Sequence, residues 1–118
     1  MGNPVVHFEV LGKDPKKLQD FYAGVFGWSV DANNEMNYGI VAAGEGGIGG
    51  GIGPAMGPAG HVTFYISVDD PQAYLNSVEK AGGRTVTPVT EIPEMVTFAL
   101  FADPEGNVVG LVKSEMPS

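Results

Sequence analysis

The chain has 118 residues and a formal net charge of −8, with 14 acidic and 6 basic residues. A chain of this length forms one domain with a single core, and its acidity, without a Lys/Arg cluster, argues against a nucleic-acid partner. It contains no cysteine, which excludes disulfides, thiolate nucleophiles and cysteine-based metal sites. Because no segment has the length and hydropathy of a signal peptide or membrane span, we expect a soluble, cytoplasmic protein.

The first half of the chain predicts a strand, a helix and three more strands. Residues 5–11 alternate between the two faces of a strand, with His7 and Glu9 on the more polar one. Asp14 followed by Pro15 is typical of a helix start. The apolar stripe of that helix is predicted to be Leu18, Phe21, Tyr22 and Val25. The later strands are predicted at residues 28–31, 36–43 and 48–52.

The second half predicts the same order after a linker rich in proline and glycine at about residues 54–60. A strand at residues 61–68 alternates in the same way as the first strand. A helix follows, begun by Asp70 and Pro71, and its predicted stripe is Tyr74, Val78 and Ala81. The closing strands are predicted at about residues 85–89, 95–102 and 107–113.

The two halves are related by an internal repeat. Three pairs of identical residues are 56 positions apart: Asp14 and Asp70, Pro15 and Pro71, and Gly27 and Gly83. Later in each half the Glu-Gly turns at 45–46 and 105–106 are 60 positions apart. We therefore predict one domain over residues 1–118, with βαβββ repeats at about 5–53 and 61–114. The predicted class is α+β, in which a curved antiparallel sheet forms a cup and the helices cover its outer face.

The more polar face of the two leading strands is the first candidate for function. A curved sheet would turn His7, Glu9, Thr63 and Tyr65 into the cup, whereas a flat one would leave them on an ordinary solvated face. His7 and Glu9 are either a polar pair on that face or a general acid/base dyad, in which the Glu9 charge raises the pKa of His7. The aromatic residues that could wall a ligand, or else serve only in packing, are Trp28, Tyr38, Tyr65 and Phe101.

Two stretches carry a family likeness. One is Asp14-Pro15 followed by Phe21-Tyr22 and Val25-Phe26-Gly27-Trp28; the other is Asp103-Pro104-Glu105-Gly106-Asn107. With the two βαβββ repeats, they make the chain similar to the vicinal oxygen chelate superfamily, which includes glyoxalase I, bleomycin-resistance proteins and extradiol dioxygenases. Short chains of that superfamily usually pair, so the resemblance implies a homodimer.

The resemblance also bears on metal binding, because metal-dependent members take one ligand from the first and one from the last strand of each repeat. The repeat offsets carry those positions onto His7 and Thr63 and onto Gly50 and Gly110. Only His7 has a strong donor, so we expect no tightly held metal and no other cofactor. The expected ligand is a small, neutral or cationic organic molecule in the cup, near His7 and Glu9, for which Gly50 and Gly110 leave room.

Two alternatives remain open. A divalent metal held by His7, Glu9 and His61 would support a lyase or isomerase resembling lactoylglutathione lyase, in which the metal polarises substrate oxygens. A cup that has lost its ligand would leave a protein interaction module.

Overall fold

The computed structural model describes residues 2–34, 37–55 and 60–114. It divides into a first unit, Val6–Thr63, and a second unit, which runs from Phe64 onward and includes the N-terminal residues as far as Val5. In chain order the elements are β1 (Val5–Gly12), α1 (Pro15–Phe26), β2 (Val30–Asp31), β3 (Gly39–Val41), β4 (Gly49–Pro54), β5 (His61–Val68), α2 (Pro71–Lys80), β6 (Arg84–Ile92), β7 (Val96–Ala102) and β8 (Val108–Lys113).

The predicted α+β class and its two βαβββ repeats are confirmed by this element order. The third strand is shorter than predicted, and Met36, at its predicted start, lies outside the described residues, as do residues 56–59 of the predicted linker. Within the described ranges, neither helix is both long and apolar enough to cross a membrane.

Both helices begin on an aspartate whose side chain accepts a hydrogen bond from a backbone N–H three residues later. Asp14 accepts from Lys17 at 3.1 Å and Asp70 from Ala73 at 3.2 Å. These bonds satisfy N–H groups that have no acceptor within the first helical turn. Gly27 ends α1 in the left-handed conformation, at φ 71°, as a glycine following a helix commonly does.

The strand pairing is mixed rather than purely antiparallel, which corrects the prediction. In the first unit β4 lies parallel to β1, and in the second unit β8 lies parallel to β5. The remaining pairs within the units, β2 with β3, β3 with β4, β6 with β7 and β7 with β8, are antiparallel. The reason is geometric. In the first unit the helical crossover makes β2 run in the same direction as β1. Two antiparallel pairings, β2 with β3 and β3 with β4, then make β4 run in that direction too, and the same holds for β5 to β8 in the second unit.

Each unit has its own apolar core between its helix and one face of its strands, which corrects the single core predicted from the chain length. The first core contains Val10, Val41 and Ile52, with Phe8, Leu18, Tyr22, Trp28 and Val30 packed against them. The second contains Val68, Leu75, Ala99 and Leu111, with Ile66, Tyr74 and Phe101 packed against them. Because strand side chains alternate, the residues between these core positions lie on the other face. In the first unit we call this the opposite face; it carries His7 and Glu9 of β1.

The predicted apolar stripes of the helices are partly wrong. Phe21 and Val25 of α1 are 54% and 59% exposed, whereas Gln19 is 5% exposed. In α2 the most buried apolar residue is Leu75, and Ala81 lies beyond the end of the helix. The face of α1 that packs against the strands consists of Leu18, Gln19 and Tyr22, and it does not include Phe21. A polar side chain, Gln19, therefore enters the core.

Gln19 is tolerated in the core because both N–H groups of its amide donate hydrogen bonds. Its Nε2 donates to the backbone carbonyl oxygens of Ile52 at 2.9 Å and Asn37 at 3.1 Å. The residue 56 positions later is Leu75, which is 1% exposed. The two repeats thus bury the same helical position, with a hydrogen-bonding side chain in one and an apolar side chain in the other.

We expect Gln19→Ala to lower the free energy of unfolding by about 2–3 kcal/mol, because it leaves a void and removes the donors of two backbone carbonyls. Urea denaturation followed by circular dichroism measures the change. Gln72→Ala in α2 is the matched control, because Gln72 is exposed and its amide donates to Asn76 of the same helix. Equal losses for the two variants would contradict this account of Gln19.

Candidate functional site

The opposite face of the first unit brings together His7, Glu9 and Tyr38. His7 and Glu9 are two residues apart on β1, and Tyr38 immediately precedes β3. The Tyr38 hydroxyl lies 2.9 Å from Nε2 of His7 and donates to Oε2 of Glu9 at 2.9 Å. His7 and Glu9, for which the sequence left open a polar pair or an acid/base dyad, are therefore bridged by a tyrosine hydroxyl.

The bridge fixes the direction of its two hydrogen bonds. A phenol has a single O–H, and Tyr38 uses it on the Glu9 carboxylate, so its oxygen acts as the acceptor toward His7. Nε2 of His7 must then carry a proton. In the neutral imidazole this places the lone pair on Nδ1, a tautomer assigned here from the hydrogen-bond network.

The pKa of His7 is shifted in the direction opposite to the predicted one. Burial lowers it below the ordinary value of 6.5, because an imidazolium ion loses hydration in a half-buried site. The negative charge of Glu9 raises the pKa of His7, as predicted, but its effect is the smaller of the two. The site therefore favours a neutral His7 near pH 7.

Tyr38 reaches Glu9 and His7 by passing over β4, which lies between β3 and β1. Neighbouring strands are about 4.8 Å apart, so the ring must lie across an intervening strand. That strand presents glycines on the opposite face: Gly49 pairs with His7 and Gly51 with Glu9. A Cβ atom added at Gly51 would overlap the Tyr38 hydroxyl. The glycines make room for a side chain of the protein itself.

The backbone around Tyr38 is held on both sides. The Asn34 amide donates to the Tyr38 carbonyl at 2.6 Å, and the Tyr38 N–H donates to Asn34 Oδ1 at 3.1 Å. The preceding residue, Asn37, has a φ of 56°, a left-handed conformation that asparagine tolerates better than most residues. Its carbonyl accepts a bond from Gln19. The buried amide of α1 therefore helps to position the tyrosine.

The register of the strands corrects one of the predicted repeat pairs. Glu9 pairs with Gly51, and Tyr65, 56 positions after Glu9, pairs with Gly110. The last strands are thus offset by 59 positions (110 − 51), not 60. Gly50 lies on the face that carries α1, where a Cβ would overlap the Phe8 ring. The counterpart of Gly110 is Gly51.

The other predicted ligand-binding residues do not join this group. Trp28 lies in the first core, where its ring stacks on Tyr22 with centroids 5.1 Å apart. Phe101 packs against the second core. Tyr65 is half-buried, and its ring covers Gly110 much as Phe8 covers Gly50.

The two remaining predicted positions lie at the start of β5. Thr63 is 6% exposed, so it is a buried residue of the first unit. His61, two residues earlier, is exposed.

The residues present do not fit a firmly held metal ion. Within residues 2–34, 37–55 and 60–114, no three His, Asp or Glu side chains are grouped closely enough to hold one, so His7, Glu9 and His61 do not form such a group. The two potential metal ligands on this face, His7 and Glu9, each use one atom in a hydrogen bond with the Tyr38 hydroxyl. Gly51, which pairs with Glu9, contributes no side-chain ligand. A divalent ion needs more donors than this face supplies.

The role of Tyr38 as a bridge was missed in the sequence, where it was considered only as an aromatic wall. A signal was present in the alternate glycines at 49, 51 and 53, which share the face of His7 and Glu9 if β4 pairs with β1. Glycines on one face of a strand indicate that something crosses it closely. The sequence did not identify which aromatic residue crosses.

Comparison with known proteins supports the fold and the family. The Glyoxalase/Bleomycin resistance protein/Dioxygenase superfamily profile matches residues 5–111. A Mycobacterium tuberculosis protein named "Putative glyoxylase CFP32" is 31% identical over 109 residues, covering 89% of this chain and 42% of that protein. The chain therefore spans less than half the length of that relative. A "Glyoxylase-like domain-containing protein" of Didymella fabae is 30% identical over 111 residues, covering 84% of each chain.

A solved structure agrees with this assignment at the level of the fold. The crystal structure of a glyoxalase/bleomycin resistance protein/dioxygenase superfamily member from Vibrio splendidus matches with a TM-score of 0.67 and 16% identity. The match covers 96% of this chain and 100% of that one. From the profile match, the two βαβββ repeats and this shared fold, the chain belongs to the Glyoxalase/Bleomycin resistance protein/Dioxygenase superfamily.

Proposed function

We propose that this chain binds a small, neutral or cationic organic molecule on the opposite face of the first unit, without a tightly held metal ion. The observation that carries the proposal is the Tyr38 hydroxyl, 2.9 Å from both His7 Nε2 and Glu9 Oε2. It joins the two side chains that a metal would need and occupies the space between them. Hydrogen bonds and attraction of charge, rather than metal ligation, are then the means of recognition on this face.

The charge of this face favours cations over anions. Burial keeps His7 neutral near pH 7, so the Glu9 carboxylate is not balanced by an imidazolium ion beside it. The whole chain adds a net charge of −8. A partly buried carboxylate attracts a cationic ligand with less screening by salt than an exposed one, whereas a ligand carboxylate is repelled.

If the ligand is also a substrate, His7 and Glu9 are the catalytic candidates and Tyr38 connects them. The Tyr38 proton can pass to Glu9 while the Nε2 proton of His7 passes to Tyr38. Nδ1 of His7 takes up a proton from the substrate in the same step, and the result is a neutral glutamic acid, a neutral tyrosine and a neutral His7 protonated on Nδ1. His7 can accept that proton without becoming an imidazolium ion, which its burial disfavours.

The second candidate function is a metal-dependent lyase or isomerase of the glyoxalase type. It is favoured by the 31% identity to the mycobacterial protein whose name describes a glyoxylase. Such chemistry uses a divalent ion to polarise substrate oxygens. The absence of side-chain donors at Gly51 and Gly110 weighs against it.

The ligand class is tested with three aromatic probes that differ in charge: benzyltrimethylammonium, benzyl alcohol and phenylacetate. We expect the cation to bind most tightly by isothermal titration calorimetry and phenylacetate to bind least. Glu9→Gln should weaken binding of the cation by about fivefold, which corresponds to roughly 1 kcal/mol. Glu45→Gln, which neutralises an exposed carboxylate of the same unit, is the control. Tighter binding of phenylacetate than of the cation would contradict the proposed ligand class.

The metal-free proposal is tested by elemental analysis of protein purified without chelator. We expect far less than one divalent metal ion per chain, because two bridged donors do not hold one firmly. Stoichiometric Ni, Zn, Mn or Fe that is lost in His7→Ala would overturn the metal-free proposal and favour the metal-dependent candidate.

The lowered pKa of His7 predicts how stability depends on pH. Between the folded-state pKa and 6.5 the unfolded chain binds more protons than the folded one, so acidification through this window destabilises the fold. The contribution of His7 to stability is therefore present above 6.5 and lost as the pH falls to the folded-state pKa. Urea denaturation from about pH 7.5 to about pH 5 measures this. His7→Gln, which does not titrate, should flatten the curve; an unchanged curve would show that His7 is not its source.

A further inference from the structure

A cavity of about 370 Å³ lies within the second unit, where the β6–β7 turn meets the end of β8. Its polar lining includes Glu91, Glu94, Thr97 and Lys113, and its apolar lining includes Ile92 and Met95. The volume is in the range of sites that hold small organic ligands. None of these residues belongs to the first unit, which contains Tyr38.

Opposite charges stand on either side of Thr97 in a row across three strands. Glu91 of β6 pairs with Thr97 of β7. The β7–β8 register, in which Phe98 pairs with Val112, places Lys113 next to Thr97 on the other side. Two strand spacings separate the Cα atoms of Glu91 and Lys113 by roughly 10 Å.

Glu91 and Lys113 do not form an ion pair with each other. The ion pair found among residues 2–34, 37–55 and 60–114 is Lys16–Asp20, in α1 of the first unit. Glu91 and Lys113 face the cavity as a carboxylate and an ammonium group with an uncharged hydroxyl between them.

The turn between β6 and β7 adds a second carboxylate, Glu94, to the cavity lining. It is closed by a bond from the Met95 N–H to the Ile92 carbonyl at 3.0 Å. Glu94 occupies its third position with a φ of 65°, where glycine or asparagine is the usual residue. The cavity is thus lined by two carboxylates, one ammonium group and exposed apolar surface that includes Met95, with Glu91 and Lys113 on opposite sides of Thr97.

We propose that this cavity binds a small zwitterion whose ammonium and carboxylate groups are separated by a short apolar chain, the class of the ω-amino acids. The ligand ammonium group contacts Glu91 and Glu94, and its carboxylate contacts Lys113. Its methylene groups lie against Ile92 and Met95. An α-amino acid is a poorer fit, because its two charges sit on neighbouring groups and do not reach both ends of the row.

The test is a ¹⁵N-labelled NMR titration of the full chain with 5-aminopentanoate and its isomer norvaline, which has the same atoms but adjacent charges. We expect 5-aminopentanoate to shift the backbone amides of residues 91–97 and 113 and to bind at least about threefold more tightly than norvaline. Pentylamine and pentanoate, each with one of the two charges, should bind more weakly as well. Glu91→Gln and Lys113→Gln should each weaken binding about three- to fivefold, the range for a partly exposed ion pair.

Two control variants neutralise exposed charges of the second unit that do not line the cavity: Glu105→Gln and Lys80→Gln. They should leave the affinity unchanged, and an unaltered amide spectrum of every free variant shows that it is folded. Equal shifts with pentylamine would overturn the proposal in favour of simple attraction of cations to an acidic surface. Equal binding of norvaline, or an affinity indifferent to both Glu91→Gln and Lys113→Gln, would overturn it too.

Discussion

The candidate site depends on one contact, the passage of the Tyr38 ring over a strand made of glycines. The hydroxyl of Tyr38 reaches Glu9 and His7, at 2.9 Å from each, only because β4 has no side chain in its way. The same hydroxyl sets the tautomer of His7 and links it to Glu9. Any side chain at Gly51 would separate these three residues, so the site can form only if β4 has glycine there.

The support for this contact comes from the core rather than from the surface. Gln19, 5% exposed, donates to the carbonyl of Asn37, the residue before Tyr38, and to that of Ile52 on β4 itself. The second repeat has Leu75 at the equivalent helical position. The two repeats therefore share a scaffold, whereas the first has exchanged apolar packing for a polar support beneath its tyrosine. A buried amide is acceptable here because both of its N–H groups donate to backbone carbonyls.

The electrostatics of the site follow from burial more than from proximity. An acidic neighbour two residues away suggests a raised histidine pKa, and the Glu9 charge does act in that direction. Loss of hydration at His7 outweighs it, and the tyrosine between the two side chains makes the interaction indirect. Neutral histidine, bridging phenol and carboxylate form a hydrogen-bonded chain suited to recognising a polar or cationic ligand, which is a different chemistry from metal ligation.

Local signals in the sequence were enough to predict the class, the two βαβββ repeats, both helix starts and the shared face of His7 and Glu9, because alternation, caps and internal repetition encode them directly. The same signals placed the last strands one residue out of register, because an offset read from turns does not fix strand pairing, and a slip of one residue exchanges the faces. Gly50 was thereby confused with Gly51. The burial of Gln19 and the Tyr38 bridge between His7 and Glu9 emerge only in the folded chain. Both depend on contacts between residues distant in the chain, which no local pattern encodes.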